Sequence, residues 1–138
     1  MNRESARALV QPFYDALNRP GTKPVAALVE SVTTDDWRSF AGPDLSKDRA
    51  AFIGQVVGFG KAIPDLGWAI EDVIVEGDRV VVRSVATGTP AGELFGVPHG
   101  GRSFRIMTID VHTVRDGRLA VAHHVEDWAT AMRQLAGK

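Results

Sequence analysis

The sequence predicts one α+β domain over residues 1–138, with helices packed on one face of a curved antiparallel sheet. Three observations predict this fold class. A length of 138 residues is typical of a single domain. Apolar residues recur at helical spacing in the first third, whereas the second half shows strands separated by two-residue turns. The 44% of hydrophobic and 24% of charged residues are typical of a globular protein.

The composition excludes several classes of function. Cysteine is absent, which excludes disulfides, thiolate catalysis and iron–sulfur clusters. The 16 basic and 17 acidic side chains give a formal net charge of −1, and no long run of one sign appears. We therefore expect no nucleic-acid partner and no membrane partner. Neither a signal peptide nor a membrane-spanning stretch is visible, so we expect a cytoplasmic protein.

Three helices are predicted in the N-terminal part of the chain. The first spans residues 3–18, where apolar positions recur at helical spacing and Pro12 kinks the helix or shifts its start. Thr22 caps a short second helix. The third runs from residue 46, where Ser46 is the candidate N-cap, to residue 61, and its Gly60 leaves a point of close packing.

Five strands are predicted, over residues 37–40, 66–76, 79–87, 104–115 and 118–127. The turn Gly77-Asp78 joins the second strand to the third and places Val73 opposite Val82. The turn Asp116-Gly117 joins the last two strands. Between these hairpins, residues 88–101 form a long irregular loop with apolar residues, which suggests that the loop folds over a ligand or the core. A short C-terminal helical segment follows Trp128.

The Asp116-Gly117 turn predicts which residues of the last hairpin share a face. A two-residue turn pairs Asp110 with His123 and places His112 and Asp127 on the same face. That face otherwise carries isoleucine, valine and leucine, so two carboxylates and two imidazoles share an apolar wall. Such a setting shifts pKa values toward catalytic use. A one-residue bulge would exchange part of the two faces.

Asp127, His123, His112 and Asp110 are the candidate catalytic residues. Asp127 could act as a general base, while His123 or His112 orients it or stabilises an oxyanion. Structural roles explain the same residues. Asp110 and His123 could form a cross-strand ion pair, His112 could be a core histidine, and Asp127 could cap the last helix.

Four further residues are candidates for substrate binding: Tyr14, Trp37, Phe95 and His99. Tyr14 and Trp37 could instead pack in the core, and His99 could lie on the surface. Two histidines and two aspartates on one face could hold a metal ion, but their spacing does not require one, so we predict no metal and no cofactor. Met107, Ile109 and Val111 on the opposite face form an apolar patch, which predicts a homodimer through the sheet.

Several segments of the second half stand in a characteristic order: Ile63 to Leu66, Glu71 to Arg83, Thr87 to Thr89, Gly92 to Pro98, Ile109 to Leu119 and His123 to Asp127. In this order and spacing the chain resembles the SnoaL-like polyketide cyclase family. The resemblance implies a nuclear transport factor 2-like (cystatin-like) fold. In this fold three N-terminal helices pack on a curved antiparallel sheet to form a cone that encloses a pocket, and two copies usually dimerise through the sheet.

The resemblance also implies a reaction. In the cyclases the aspartate that ends the last strand is the acid/base of an intramolecular aldol closure, and Asp127 occupies that position. The reaction needs neither metal nor cofactor, and its substrate is a small apolar carbonyl compound. Pro90, His99, Thr113 and His123 depart from the family pattern. Three alternatives stay open: an epoxide hydrolase-like enzyme, a non-catalytic small-molecule-binding protein and a structural dimer.

Overall fold

The structure is a computed structural model that describes residues 1–98 and 100–138. The predicted site residue His99 lies outside the described residues. Four α-helices are present, α1 (Arg3–Leu17), α2 (Val25–Val32), α3 (Arg49–Ala62) and α4 (Trp128–Leu135), with a 3₁₀ turn at Pro20–Thr22. The six strands are β1 (Thr33–Gly42), β2 (Leu45–Asp48), β3 (Gly67–Glu76), β4 (Arg79–Gly88), β5 (Phe104–Arg115) and β6 (Arg118–Glu126).

Helix α1 begins at a reciprocal cap and buries one stripe against the sheet. The side chain of Asn2 accepts a hydrogen bond from the backbone N–H of Ser5 at 2.8 Å, and the Ser5 hydroxyl accepts one from the N–H of Asn2 at 3.0 Å. The helix ends at Asn18, whose side chain bonds both backbone groups of Trp68. These bonds attach the end of α1 to β3, because each satisfies a backbone group that the strand leaves free.

Helix α3 begins two residues later than the sequence predicts. Asp48, not Ser46, is the N-cap and accepts a hydrogen bond from the N–H of Ala51 at 2.8 Å. Residues 45–48 instead form β2, which pairs with β1. The predicted strand at residues 37–40 is correspondingly too short, since β1 runs from residue 33 to residue 42.

The strands form one curved sheet in the order β2-β1-β6-β5-β4-β3. All neighbours are antiparallel except β1 and β6, which run parallel. The predicted α+β fold is therefore confirmed, with α4 added after the last strand. The predicted register of the β3–β4 hairpin is also confirmed, because Val73 lies opposite Val82.

The last hairpin departs from the predicted register. Val114 still pairs with Leu119, but Thr113 pairs with Val121, so Ala120 is an extra residue in β6. Leu119 and Ala120 are both buried, at 0% and 3% exposure. The bulge is thus compatible with the burial of two successive side chains, which a regular strand would place on opposite faces. Every residue of β6 after the bulge changes face relative to the prediction.

The core lies between the helices and the inner face of the sheet. Its largest buried side chains include Trp37, Tyr14, Phe104, Ile63 and Leu66. Among the described residues, no helix is both long and apolar enough to cross a membrane.

We predict that Gly60 is required for the contact between α3 and the 3₁₀ turn. A Cβ at this position would lie 2.8 Å from the backbone nitrogen of Gly21 and 3.0 Å from Cβ of Pro20. Gly60→Ala should therefore lower the free energy of unfolding by about 1–3 kcal/mol in urea titrations.

Gly58→Ala is the matched control, because it adds the same methyl group to the same helix with no atom within 4 Å. It should raise the free energy of unfolding by about 0.5–1 kcal/mol through helix propensity alone. A similar gain for Gly60→Ala would show that the close contact imposes no constraint.

Candidate active site

A cavity of about 250 Å³ lies between the helices and the inner face of the sheet. This volume is slightly below the range of roughly 300–1,000 Å³ that is typical of small-ligand pockets. Most of the wall is apolar and includes Phe13, Leu17, Phe52, Val56, Phe59, Leu66, Trp68, Phe95 and Trp128. The polar lining consists of Ser39, Lys47, Gln55, Asp110, His124 and Glu126. The wall therefore suits a largely apolar ligand with a few polar groups.

Asp110 is the most deeply buried carboxylate of the cavity, with 5% exposure. The Tyr14 hydroxyl donates a hydrogen bond of 2.5 Å to its Oδ2. Burial raises the pKa of Asp110 to about 7, the bond from Tyr14 opposes this rise, and the charge of Glu126 adds to it. Asp110 lines the cavity and its Oδ1 makes no hydrogen bond to a described residue, so one oxygen is available to a ligand.

Behind Asp110, Tyr14 and His112 form a buried chain of hydrogen bonds. His112 Nε2 lies 2.8 Å from the Tyr14 oxygen, and its ring is edge-on to Phe13 at 5.3 Å. Burial lowers the pKa of His112 to about 4, so the ring is neutral at neutral pH. Burial also raises the pKa of Tyr14 well above its usual value. Because Tyr14 has one hydroxyl proton and gives it to Asp110, His112 Nε2 must donate to Tyr14.

His124 and Glu126 stand beside Asp110 on the inner face of β6. His124 Nδ1 lies 2.8 and 2.9 Å from the two oxygens of Glu126. Burial by itself lowers the pKa of His124, but the hydrogen bond and charge of Glu126 together with the charge of Asp110 outweigh burial, and the net pKa is raised. A protonated imidazole that contacts a carboxylate can donate or return a proton near neutral pH.

Asp110, His124 and Glu126 are also the described residues that could hold a metal ion, since one potential ligand atom from each lies within 4.8 Å of the others. The donor set fits a cation poorly. Nδ1 of His124 is already bonded to Glu126, and the ammonium of Lys47 lines the same cavity. The arrangement favours proton transfer over metal binding.

The structure places two of the predicted catalytic residues, Asp127 and His123, on the exposed surface, where they do not line the cavity. Asp127 is exposed and caps α4, with its carboxylate accepting bonds from the Thr130 N–H at 3.1 Å and the Thr130 hydroxyl at 2.6 Å. These bonds lower its pKa. His123 lies on the outer face of the sheet and stacks on Phe40 at 5.0 Å. The predicted positions of both residues were wrong because the Ala120 bulge reverses the faces of β6.

The other predicted residues divide into lining and supporting positions. Asp110 and Phe95 line the cavity, and Phe95 contacts Trp128 at 5.2 Å. Tyr14 and His112 support Asp110 from behind. Trp37 is fully buried and packs on Phe13 and Phe52, which themselves line the cavity.

The sequence-based assignment missed His124, Glu126 and Lys47. His124 and Glu126 were placed on the opposite face by the regular register of the hairpin. One signal in the sequence pointed to Glu126. Aspartate is favoured at N-cap positions, and if Asp127 caps α4, then Glu126 is the last residue of the strand. Lys47 was missed because β2 was predicted as the start of a helix.

Comparison with known proteins identifies the family. Residues 8–135 match the sequence profile of SnoaL-like polyketide cyclases. The chain belongs to the SnoaL-like polyketide cyclase family. Membership of this family supports a cyclase or isomerase role on a small-molecule substrate. No curated protein matches the chain by sequence.

Solved structures of the SnoaL-like fold superpose on nearly the whole chain. IdmH from Streptomyces antibioticus, a candidate polyketide cyclase, is 28% identical with a TM-score of 0.78, over 93% of this chain and 96% of IdmH. TsrD from Streptomyces laurentii is 24% identical with a TM-score of 0.84, over 100% of this chain and 99% of TsrD. AclR from Streptomyces galilaeus, a candidate hydroxylase, is 22% identical with a TM-score of 0.81, over 99% of this chain and 84% of AclR. The last two likenesses show the fold alone.

We predict that Asp110 makes this SnoaL-like protein less stable as pH rises. Since the pKa of Asp110 is raised from 3.8 to about 7, the folded state binds more protons than the unfolded state between these values. The stabilisation is present in full below 3.8, the pKa of Asp110 in the unfolded chain, and is lost as pH rises through about 7, its pKa in the folded protein. Asp110→Asn removes this titration and keeps an oxygen for Tyr14. Relative to wild type, the variant should gain about 2–3 kcal/mol between about pH 5 and about pH 8 in urea unfolding.

Asp127→Asn is the control, because the pKa of Asp127 is lowered and its linked stability changes only at acidic pH. A stability difference between Asp110→Asn and wild type that does not change from about pH 5 to about pH 8 would contradict a raised pKa at Asp110.

Proposed function

We propose that this chain is a cofactor-independent cyclase or isomerase that acts on a small apolar carbonyl compound, with Asp110 as general base and His124 as general acid. The observation that carries the proposal is the position of Asp110. One of its oxygens is bonded to Tyr14 and the other faces an apolar cavity. A pKa of about 7 suits a general base, because half of the carboxylate is ionised at neutral pH while its basicity is well above that of an ordinary aspartate.

An aldol closure would use these groups in order. The Asp110 carboxylate takes a proton from an acidic methylene beside a carbonyl, and the substrate becomes an enolate. The enolate carbon attacks a second carbonyl of the same molecule, which forms the ring bond and an alkoxide. Protonated His124 gives its proton to the alkoxide. The proton held by Asp110 then passes to His124, which restores both groups. A ring nitrogen of His124 lies within 4.8 Å of a carboxylate oxygen of Asp110.

The surroundings support this division of roles. The apolar wall lowers the local dielectric constant, which strengthens the stabilisation of an enolate by a nearby imidazolium. Glu126 raises the pKa of His124, which favours the protonated imidazole, and orients the ring through two contacts to Nδ1. Tyr14 holds Asp110 in one orientation, so that the free oxygen faces the ligand. An isomerase would use Asp110 alone, because the carboxylate takes a proton from one carbon of the substrate and returns it to another carbon of the resulting enolate.

Epoxide hydrolysis is the second proposed function. The pair of His124 and Glu126 favours it, since an imidazole bonded to a carboxylate can activate a water molecule. In this reaction Asp110 would act in its protonated form and donate a proton to the epoxide oxygen as the ring opens. A non-catalytic binding protein is the remaining alternative, in which the same cavity binds a ligand without turnover.

A homodimer through the outer face of the sheet is part of this proposal. Met107 and Val125 are 51% and 62% exposed, and Ile109, Val111 and Phe40 are half-buried beside them. Exposed apolar side chains that lie together on one face of a sheet are typical of an interface.

We predict that Val125→Lys converts the protein to a monomer, as measured by light scattering after size-exclusion chromatography. A lysine there would bury its charge at the interface, which costs several kcal/mol without a partner. Val57→Lys is the control, because Val57 is 41% exposed on α3, away from the sheet. A monomeric wild type, or an unchanged mass for Val125→Lys, would refute the dimer.

We predict that the protein exchanges the acidic protons of 2-tetralone, a bicyclic ketone, with deuterium in D₂O. Asp110→Asn should lower the exchange rate, measured by proton NMR, by about 10²–10⁴-fold, which is the usual contribution of a general base. Asp127→Asn should exchange the ketone at the wild-type rate, because Asp127 caps α4 and does not line the cavity.

Styrene oxide, supplied under the same conditions, separates the alternatives. Diol formation without ketone exchange would favour epoxide hydrolysis. If neither compound reacts although 2-tetralone quenches the fluorescence of the cavity tryptophans, the chain is a binding protein. Loss of exchange in Asp127→Asn but not in Asp110→Asn would overturn the assignment of the base.

A further inference from the structure

The cavity contains a second polar group of residues that the proposed acid/base chemistry does not use. Lys47 on β2 lies directly opposite Ser39 on β1, and both side chains line the cavity. Ser39 in turn lies opposite Ala122 on β6, and Ala122 precedes His124 by two residues. Lys47 and Ser39 therefore form a pair of donors beside the acid/base group, and the charge of Lys47 reaches His124, whose pKa it lowers.

The ammonium of Lys47 forms no ion pair with a residue that the structure describes. Lys47 is the only lysine or arginine among the described residues that line the cavity. It is half-buried, and its ammonium lies within hydrogen-bond or ion-pair distance of no described residue. Ser39 is 3% exposed and lines the cavity, and its hydroxyl makes no hydrogen bond to a described residue. A half-buried cation beside a free hydroxyl group is well suited to an anionic ligand.

We propose that Lys47 and Ser39 bind a carboxylate of the substrate, so that this chain acts on an apolar carbonyl compound that carries a carboxylate group. The identity of the reacting centre rests on the proposed function, but the carboxylate site does not. A carboxylate is favoured over a phenol, because a carboxylic acid is ionised at neutral pH and a phenol is not.

The sheet sets the distance between the two ends of such a substrate. β2 is separated from β6 by β1, and neighbouring strands lie about 4.8 Å apart. The backbones that carry Lys47 and His124 are therefore separated by roughly 10 Å across the sheet, and the side chains reach toward each other over its curved inner face. One ligand with a polar group at each end of an apolar body can therefore contact both groups. The aromatic wall between α1 and α3 suits the same kind of ligand.

Lys47 also lies on the edge strand β2, where charged residues can prevent pairing with other chains. This structural role predicts no effect on ligand binding. The two roles therefore differ in a measurable way.

The test compares 2-naphthoate with 2-acetylnaphthalene, a neutral molecule of nearly the same shape. Binding is followed by quenching of tryptophan fluorescence, since Trp68 and Trp128 line the cavity. Wild-type protein should bind 2-naphthoate about tenfold more tightly than 2-acetylnaphthalene. Lys47→Gln should weaken 2-naphthoate binding about tenfold and leave 2-acetylnaphthalene binding within about twofold. Ser39→Ala should weaken 2-naphthoate binding by a smaller factor, about threefold.

Lys61→Gln is the matched control, because it removes the same charge from an exposed position on α3. It should leave the affinity for both compounds unchanged. Equal losses for both compounds in Lys47→Gln, or no loss for either, would overturn the proposal.

Asp110→Asn separates this proposal from the proposed function. The variant should bind 2-naphthoate at least as tightly as wild type, since it removes a negative charge from the cavity while Lys47 stays in place. If Asp110→Asn retains ketone exchange but Lys47→Gln loses selective 2-naphthoate binding, the carboxylate site stands and the catalytic assignment fails. The reverse pattern would leave the catalytic assignment and refute the carboxylate site.

Discussion

The extra residue at Ala120 is the constraint on which the site depends. Because side chains alternate along a strand, one inserted residue exchanges the two faces of everything that follows it. In β6 the exchange brings His124 and Glu126 into the cavity and sends His123 to the outer face. It also lets two successive apolar residues, Leu119 and Ala120, enter the core. The burial of Leu119 and Ala120 near the turn and the position of His124 and Glu126 in the cavity are therefore two consequences of the same bulge.

The buried carboxylate of Asp110 is stabilised by a hydrogen bond from a neutral donor, Tyr14, and by the charge of His124. A carboxylate without a partner in an apolar interior is costly, and an arginine beside it would hold it permanently ionised. Tyr14 stabilises the ionised form by one hydrogen bond, and its own pKa stays too high for it to lose its proton. His112, held neutral by burial, completes the chain from behind. The result is a carboxyl group that can gain or lose a proton near neutral pH, next to an imidazole whose pKa is raised by Glu126.

The remaining elements give this group a defined environment. α1 and α3 supply aromatic side chains to the wall, and Asp127, by capping α4, positions the helix that brings Trp128 to the cavity. Trp128 stacks on Phe59 at 5.7 Å and contacts Phe95 of the long loop. The aspartate that the family resemblance marks as the acid/base thus serves the cavity indirectly in this chain. Lys47, on the edge strand β2, adds a positive charge to a cavity whose wall is otherwise mostly aromatic and apolar.

Local patterns in the sequence were sufficient to predict the helices, the two hairpins and the α+β class, because helical periodicity and turn chemistry depend on residues close together in the chain. The same patterns identified Asp110, Tyr14 and Phe95 as candidate site residues. Three features were decided only by the tertiary structure: the pairing of β2 with β1, the parallel contact of β1 with β6, and the bulge at Ala120. Each depends on which distant surfaces pack together, and a bulge without glycine leaves no local signature. Asp110 faces the cavity because of its position in β5, which the bulge does not change. His124 and Glu126 face the cavity because of the bulge in β6, at which both Leu119 and Ala120 are buried.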